Sequence, residues 1–158
     1  MTRVFDFLLS FAGLVIGAPV LALLWVLGWF DTGAPLFHQQ RVGRYQKPFT
    51  LVKFRTMRPD TASVASHLAD AAAITSLGAF LRRTKLDELP QLCNVLKGEM
   101  SLVGPRPHML KHSSEFSKMV AHYMSRQFLK PGITGWAQIN SYRGEIRSQE
   151  EIEGRVAS

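Results

Sequence analysis

A chain of 158 residues, 46% apolar and 20% charged, has the composition of one ordered domain and is too short for two ordinary ones. Its single cysteine, Cys93, excludes an internal disulfide framework, and without a C-x-x-C or H-E-x-x-H run the common zinc sites are excluded too. The formal charge of +7 belongs to residues 31–158, because residues 1–30 hold only Arg3 and Asp6; that surplus draws anions of any kind, from nucleic acid to phosphorylated metabolites to acidic lipid.

From Phe7 to Phe30 no side chain is charged. As a helix at about 1.5 Å per residue the segment would reach ~36 Å, more than the ~30 Å of hydrocarbon in a bilayer, so it is read as membrane-embedded. A cleaved signal peptide fits less well, since the apolar run is too long and Asp31-Thr32-Gly33-Ala34-Pro35 is a poor cleavage site. Pro19, within Gly17-Ala18-Pro19, removes a helical hydrogen bond and predicts a kink. Hydropathy leaves two geometries open: a bent spanning helix, or one that turns near the proline and leaves on the side it entered. Either places the basic residues 31 onward in the cytoplasm, with Trp25 and Trp29 at the interface.

Two short strands follow, Phe37–Val42 and Phe49–Arg55, joined by the turn-forming run Gly43-Arg44-Tyr45-Gln46-Lys47-Pro48. Alternation puts Lys53 and Arg55 on one face, Val52 and Phe54 on the other. Pro59 to Ala73 is alanine-rich and weakly periodic, either loop or marginal helix. Helical spacing begins at Ile74, Leu77 and Leu81. Thr84-Lys85-Leu86-Asp87 then has the form of a capping box opening a helix with Leu86, Leu89, Cys93 and Leu96 on one stripe, ended by Gly98. Ser101 to Pro107 is expected to be irregular because two prolines bracket Arg106. Phe116, Met119, Val120, Tyr123, Met124 and Phe128 mark an amphipathic helix, facing either a core or a membrane interface. Pro131 to Trp136 reads as loop.

Asp87-Glu88 is the most suggestive carboxylate site: in a first helical turn, free N–H groups and the helix dipole keep a nucleophilic carboxylate ionised, and adjacent carboxylates can share a divalent cation. Arg82, Arg83, Lys53, Arg55 and Arg106 are candidates for a cationic pocket around phosphate oxygens. The alternative is an ordinary acidic first turn beside a solvated basic face. The five histidines show no ligand pattern beyond the i, i+4 pair His108 and His112. No G-x-S-x-G, G-x-G-x-x-G or Walker run is present, which disfavours Ser hydrolases, Rossmann oxidoreductases and P-loop ATPases.

Four blocks, taken in order, resemble the bacterial sugar transferases, the polyprenyl-phosphate phosphoglycosyl transferases that start lipid-linked glycan assembly. They are Phe37-His38-Gln39-Gln40-Arg41-Val42-Gly43 with Lys53-Phe54-Arg55-Thr56-Met57; Leu81 to Gln91 (LRRTKLDELPQ); Asn94 to Pro107 (NVLKGEMSLVGPRP); and Lys130 to Asn140 (KPGITGWAQIN). Tyr142-Arg143-Gly144-Glu145 and the Pro107-His108 junction are more similar to the catalytic domain of the undecaprenyl-phosphate glucose phosphotransferases of exopolysaccharide synthesis.

The resemblance implies an α+β, mainly helical fold: residues 1–30 as a re-entrant helix broken at Pro19, residues 31–158 as a catalytic domain on the cytoplasmic face of the bacterial inner membrane, with a β-hairpin and amphipathic interfacial helices. It implies an Asp87-Glu88 dyad acting with Mg2+, Arg82 and Arg106 at the phosphate and nucleotide, and Lys53, Arg55 and Arg83 as further anion-binding candidates. The implied partners are a UDP-sugar (glucose or galactose), undecaprenyl phosphate and membrane lipid, with no nucleic acid. Asp87 would attack the β-phosphorus of the UDP-sugar, release UMP and hold the phosphosugar for the polyprenyl phosphate, a ping-pong covalent route. Relatives continue past Glu153-Gly154-Arg155-Val156, so a chain truncated at its carboxyl end is expected. A membrane-tethered basic binding protein and an inactive truncated relative are the alternatives.

Overall fold

A computed structural model describes residues 2–59, 73–107 and 128–135, and shows a mixed helix-and-sheet protein with an apolar N-terminal helix. Helix α1 (Thr2–Thr32) leads into a hairpin of β1 (Leu36–Val42) and β2 (Pro48–Phe54). After α2 (Ser76–Thr84) come a 3-10 segment (Leu86–Gln91), α3 (Leu92–Lys97), β3 (Ser101–Val103) and β4 (Gly132–Thr134). The expected elements at 60–72, 116–127 and 136–145, with His67, His108, His112 and His122, lie outside the described residues.

Helix α1 continues through Pro19, so the break expected there is not an interruption of the helix. One narrow stripe of it is buried: Asp6, Ser10, Leu24 and Gly28. Apolar side chains elsewhere on it are exposed, including Phe5, Phe7, Leu8, Phe11, Ile16, Leu23, Trp29 and Phe30. The stripe lies against the rest of the protein at both ends. Near the start, Arg3 donates through Nη1 to the Val95 carbonyl and through Nη2 to that of Leu96 at 2.7 Å, placing its charge on the carbonyl end of α3. Asp6 accepts from Ser101 Oγ at 2.7 Å and from the Leu102 N–H at 3.1 Å. Near its end, Gly28 faces Pro35, and Asp31 accepts from Thr75 Oγ1 at 2.6 Å. The same Thr75 oxygen caps α2 by accepting from the Gly78 N–H.

The hairpin is antiparallel and in the expected place, with Phe37 opposite Lys53, Gln39 opposite Leu51 and Arg41 opposite Phe49. The free edge of β2 is closed by a side chain rather than a strand. Buried Asn94 accepts from the Val52 N–H at 3.2 Å and donates to the Thr50 carbonyl and Glu99 Oε2, both at 2.7 Å. Two small cores result. Phe49, Leu51, Val95 and Met100 pack with Leu102 and Ile133; Leu24, Phe54 and Leu81 pack with Leu21, Leu36, Leu77 and Leu86. Each fully buried large apolar side chain contributes roughly 1.5–3 kcal/mol.

Several local expectations need correction. Thr84 is no cap for the following segment: its hydroxyl donates back to the Phe80 carbonyl at 2.9 Å, as a residue ending α2 does. Lys85 then turns left-handed at φ 62°, and Pro90 holds Leu86–Gln91 as a 3-10 segment instead of a first α-turn. Cys93 is exposed, not part of a buried stripe. Ile74 bridges Met57 as extended chain before α2 begins. Gly98 ends α3 as expected, left-handed at φ 86°.

Ser101–Val103 and Gly132–Thr134, read as irregular and as loop, form a parallel pair. Tertiary pairing overrode the local proline and glycine signals. Bonds from the Gly104 N–H to the Thr134 carbonyl (2.8 Å) and from the Gly132 N–H to the Pro105 carbonyl (2.9 Å) extend the pairing. The backbones cross so closely that a Cβ on Gly132 would lie 2.1 Å from the Gly104 nitrogen. Only glycine permits that approach.

Candidate active site

The two carboxylates lie where two arms of the fold meet. Asp87 and Glu88 occupy the first turn of the 3-10 segment, presented by the left-handed turn at Lys85. Strands β1 and β2 supply Arg41 and Lys53, the last turn of α2 supplies Arg82, and the turn after β3 supplies Arg106. Arg106 Nη2 pairs with Glu88 Oε1 at 2.9 Å. Arg82 is steadied through Nε, which donates to the buried Thr56 hydroxyl at 2.8 Å.

Asp87 is buried, and its Oδ1 has no hydrogen-bond partner among the described residues. Burial, then the neighbouring Glu88 charge, push its carboxyl above the ordinary aspartate range, against the pull of Lys53, Lys85 and Arg82. Lys53 is held below the usual lysine range, first by burial and then by the repulsion of Arg41, while Asp87 pulls the other way. Arg41 is lowered to about 10 by burial and by Arg106, with Glu88 opposing, so it stays protonated at neutral pH. Burial is the largest cause of all three shifts. Cations crowd a partly desolvated space holding fewer anions than cations, an arrangement that an incoming anion relieves.

Of the sequence candidates, the fold brings together Asp87, Glu88, Lys53, Arg82 and Arg106. Arg55 is engaged elsewhere, donating through Nε to the Ala34 carbonyl at 2.9 Å, and so ties β2 to the exit of α1. Arg83 is exposed on α2 and is not among the charges acting on Asp87 or Lys53. Pro19 lies within α1. Sequence reasoning missed Arg41, which donates to Gln39 Oε1 at 2.6 Å and to the Pro107 carbonyl at 3.3 Å while its Nε is buried without a partner among the described residues. The missing information was the register: once Phe37 is opposite Lys53, Arg41 shares a face with Lys53.

Among the described residues no cluster of three or more His, Cys, Asp or Glu side chains could hold a metal. Two adjacent carboxylates, one with a buried unpartnered oxygen, nonetheless suit a hard cation that takes one or two carboxylates and completes its shell with phosphate oxygens and water.

Comparison with known proteins shows the family to which the chain belongs. The model of a family described as bacterial sugar transferase matches residues 1–157. The chain is 42% identical over 159 residues to the UDP-glucose:undecaprenyl-phosphate glucose-1-phosphate transferase of Escherichia coli, covering 99% of this chain and 34% of that protein. It is 39% identical over 165 residues to an exopolysaccharide production protein of Rhizobium leguminosarum, covering 100% of this chain and 82% of the relative. To the undecaprenyl-phosphate galactose phosphotransferase of Salmonella typhimurium it is 38% identical over 157 residues, 89% of this chain and 32% of that protein. The chain thus spans about a third of the length of the Escherichia and Salmonella relatives.

Proposed function

Because the chain belongs to the bacterial sugar transferase family, we propose that it transfers a sugar-1-phosphate from a UDP-sugar to undecaprenyl phosphate, with glucose or galactose as the sugar. The observation that carries this reading is the convergence of Arg41, Lys53, Arg82 and Arg106 on Asp87 and Glu88, with one Asp87 oxygen buried and unpartnered. A diphosphate supplies the missing negative charge, and guanidinium groups match its oxygens.

In the proposed route an ionised Asp87 oxygen forms a bond to the β-phosphorus as the bond from that phosphorus to the bridging oxygen breaks. The electron pair leaves with UMP. An oxygen of undecaprenyl phosphate then bonds to the same phosphorus, the Asp87–phosphorus bond breaks, and the carboxylate is regenerated. Cations fixed before the reaction stabilise the charge that develops on the equatorial and leaving oxygens. Glu88, paired with Arg106, orients that guanidinium toward the phosphates. Asp87 and Glu88 would hold Mg2+, which when bound supplies further neutralisation of the diphosphate.

The reading extends to the membrane. Both ends of α1 are bonded to the same globular part, Arg3 and Asp6 at one end and Asp31 at the other, while most apolar side chains between them are exposed. Two ends on one side support a re-entrant helix over a spanning one, with residues 31–158 as the catalytic domain. The basic character of that part favours the cytoplasmic face of the bacterial inner membrane. A lipid-seated helix beside the site brings a water-insoluble acceptor to the carboxylates. The second reading, a basic binding protein without catalysis, gives no role to a buried carboxylate amid the cations.

The test uses the full chain in nanodiscs with Mg2+, undecaprenyl phosphate and either UDP-glucose or UDP-galactose, following UMP. The expected result is UMP release dependent on the lipid, and at least ~1000-fold slower in Asp87→Asn. A phosphosugar adduct on the Asp87 peptide, trapped in the absence of lipid, is the second expected result. Equal turnover by Asp87→Asn would remove the covalent route.

A further inference from the structure

Arg3 and Asp6, the two charges of the first thirty residues, bind the two chain segments that carry the opposite halves of the Glu88–Arg106 pair. Arg3 holds the end of α3, which continues directly from the 3-10 segment bearing Asp87 and Glu88. Asp6 holds the start of β3 through Ser101 Oγ and the Leu102 N–H. Little slack separates that contact from the site. From Leu102 the chain runs through Val103 and Gly104, bonded to Thr134, then Pro105, whose carbonyl is bonded to Gly132, and so reaches Arg106. A carboxylate at the edge of a 24-residue uncharged stretch, 8% exposed and accepting two hydrogen bonds, would be costly if undocked in lipid. Its bonded geometry is therefore strongly specified.

We infer that Asp6 is a positioning residue, setting the place of Arg106 against Glu88 through β3, so that the seating of the membrane helix is transmitted to the active site. The kinetic part rests on the function proposed above; the structural part does not. When Asp6 is bonded, β3 is held at both ends and the Arg106 guanidinium is presented in one direction. When it is not, Ser101 and Leu102 lose their acceptor, and β3 is held only by its pairing with β4 and the packing of Leu102 on the core.

The experiment uses the full chain in nanodiscs and compares wild type, Asp6→Ala, Asp6→Asn, Arg106→Ala and the Asp6→Ala/Arg106→Ala double variant. Asp6→Ala is expected to lower kcat for UMP release roughly tenfold, with KM for the UDP-sugar nearly unchanged, a size typical of coupling through a packed element. Asp6→Asn, which keeps one acceptor oxygen, falls between the two. In the Arg106→Ala background, removing Asp6 costs nothing further, because the residue it acts through is gone. Additive losses, or an Asp6→Ala enzyme with wild-type kcat, would overturn the inference. Amide exchange reads the structural part without catalysis: Gly104 and Gly132, whose N–H groups bond Thr134 and Pro105, exchange faster in Asp6→Ala while β1 and β2 keep their protection. Unchanged exchange at those two amides also overturns it. If Asp6→Ala does not fold, Ser101→Ala removes one donor alone and is put through the same comparisons. A wild-type chain that releases no UMP counts against the proposed function, and the exchange comparison still decides the role of Asp6.

Discussion

The hairpin β1–β2 pairs over seven residues of each strand, whereas β3 and β4 pair over three, yet both bring cations to the same two carboxylates, the hairpin Arg41 and Lys53, the parallel pair Arg106. In the hairpin, position is set by side chains: Phe49 and Leu51 are buried in a core, Asn94 closes the free edge, and Arg41 and Lys53 follow from alternation. In the parallel pair, position is set by backbone. Gly104 and Gly132 touch without side chains between them, and Arg106 emerges from the turn that this contact holds. A short sheet can place a functional group firmly if its backbone has nowhere else to go. The hairpin reaches the same end by burying area, and so should tolerate a lost atom better.

That contrast can be broken most severely at Gly132. The added Cβ of Gly132→Ala meets backbone at 2.1 Å, and nothing flexible can yield. A loss of at least ~3 kcal/mol in denaturant unfolding is expected, at the upper end for overpacking. A loss below about 1 kcal/mol would show slack between the strands. On the hairpin side, Asn94→Ala strips the edge of β2 of its donor and acceptor and is expected to cost about 2 kcal/mol, since buried backbone groups are left unpaired. Unfolding with an unchanged denaturant slope checks it.

The two arms also predict different kinetics. Arg41→Met keeps bulk in the hairpin and removes the charge together with the bonds to Gln39 and Pro107, so KM for the UDP-sugar should rise roughly tenfold while the hairpin core keeps its packing, the size expected for one lost charge-assisted contact. An unchanged KM would place Arg41 outside substrate contact. The smallest effect concerns Asp87. Its folded carboxyl titrates above the unfolded value, so the unfolded chain loses that proton first and stability falls as pH rises through the window from 3.8 upward. Asp87→Asn should remove that decline, leaving the variant more stable than wild type at neutral pH while unable to transfer. A wild-type and variant pair with parallel pH–stability curves would show that Asp87 titrates normally.

What could be read without coordinates followed from local chemistry. Apolar length announced α1, alternation with a Gly-Arg-Tyr-Gln-Lys-Pro turn announced the hairpin nearly to the residue, and Gly98 announced the end of α3. Asp87, Glu88, Lys53, Arg82 and Arg106 were found as charges of the right type, although spacing alone could not say that they meet. Arg55 and Arg83 have the same type, and the fold uses Arg55 on the Ala34 carbonyl and leaves Arg83 exposed. The capping-box reading failed because a helix already occupied Thr84, whose hydroxyl was committed to the preceding turn.

The residues alone determined the apolar helix, the hairpin, the sign of the charge and the candidate charged groups, because these depend on side-chain chemistry and on periodicities a few residues long. Only the folded chain decided that Ser101–Val103 pairs with Gly132–Thr134, that Arg41 joins the site, and that Asp6 holds the strand leading to Arg106. Those contacts join positions tens of residues apart. Their free energy comes from backbones and buried polar groups finding partners, which no local pattern records.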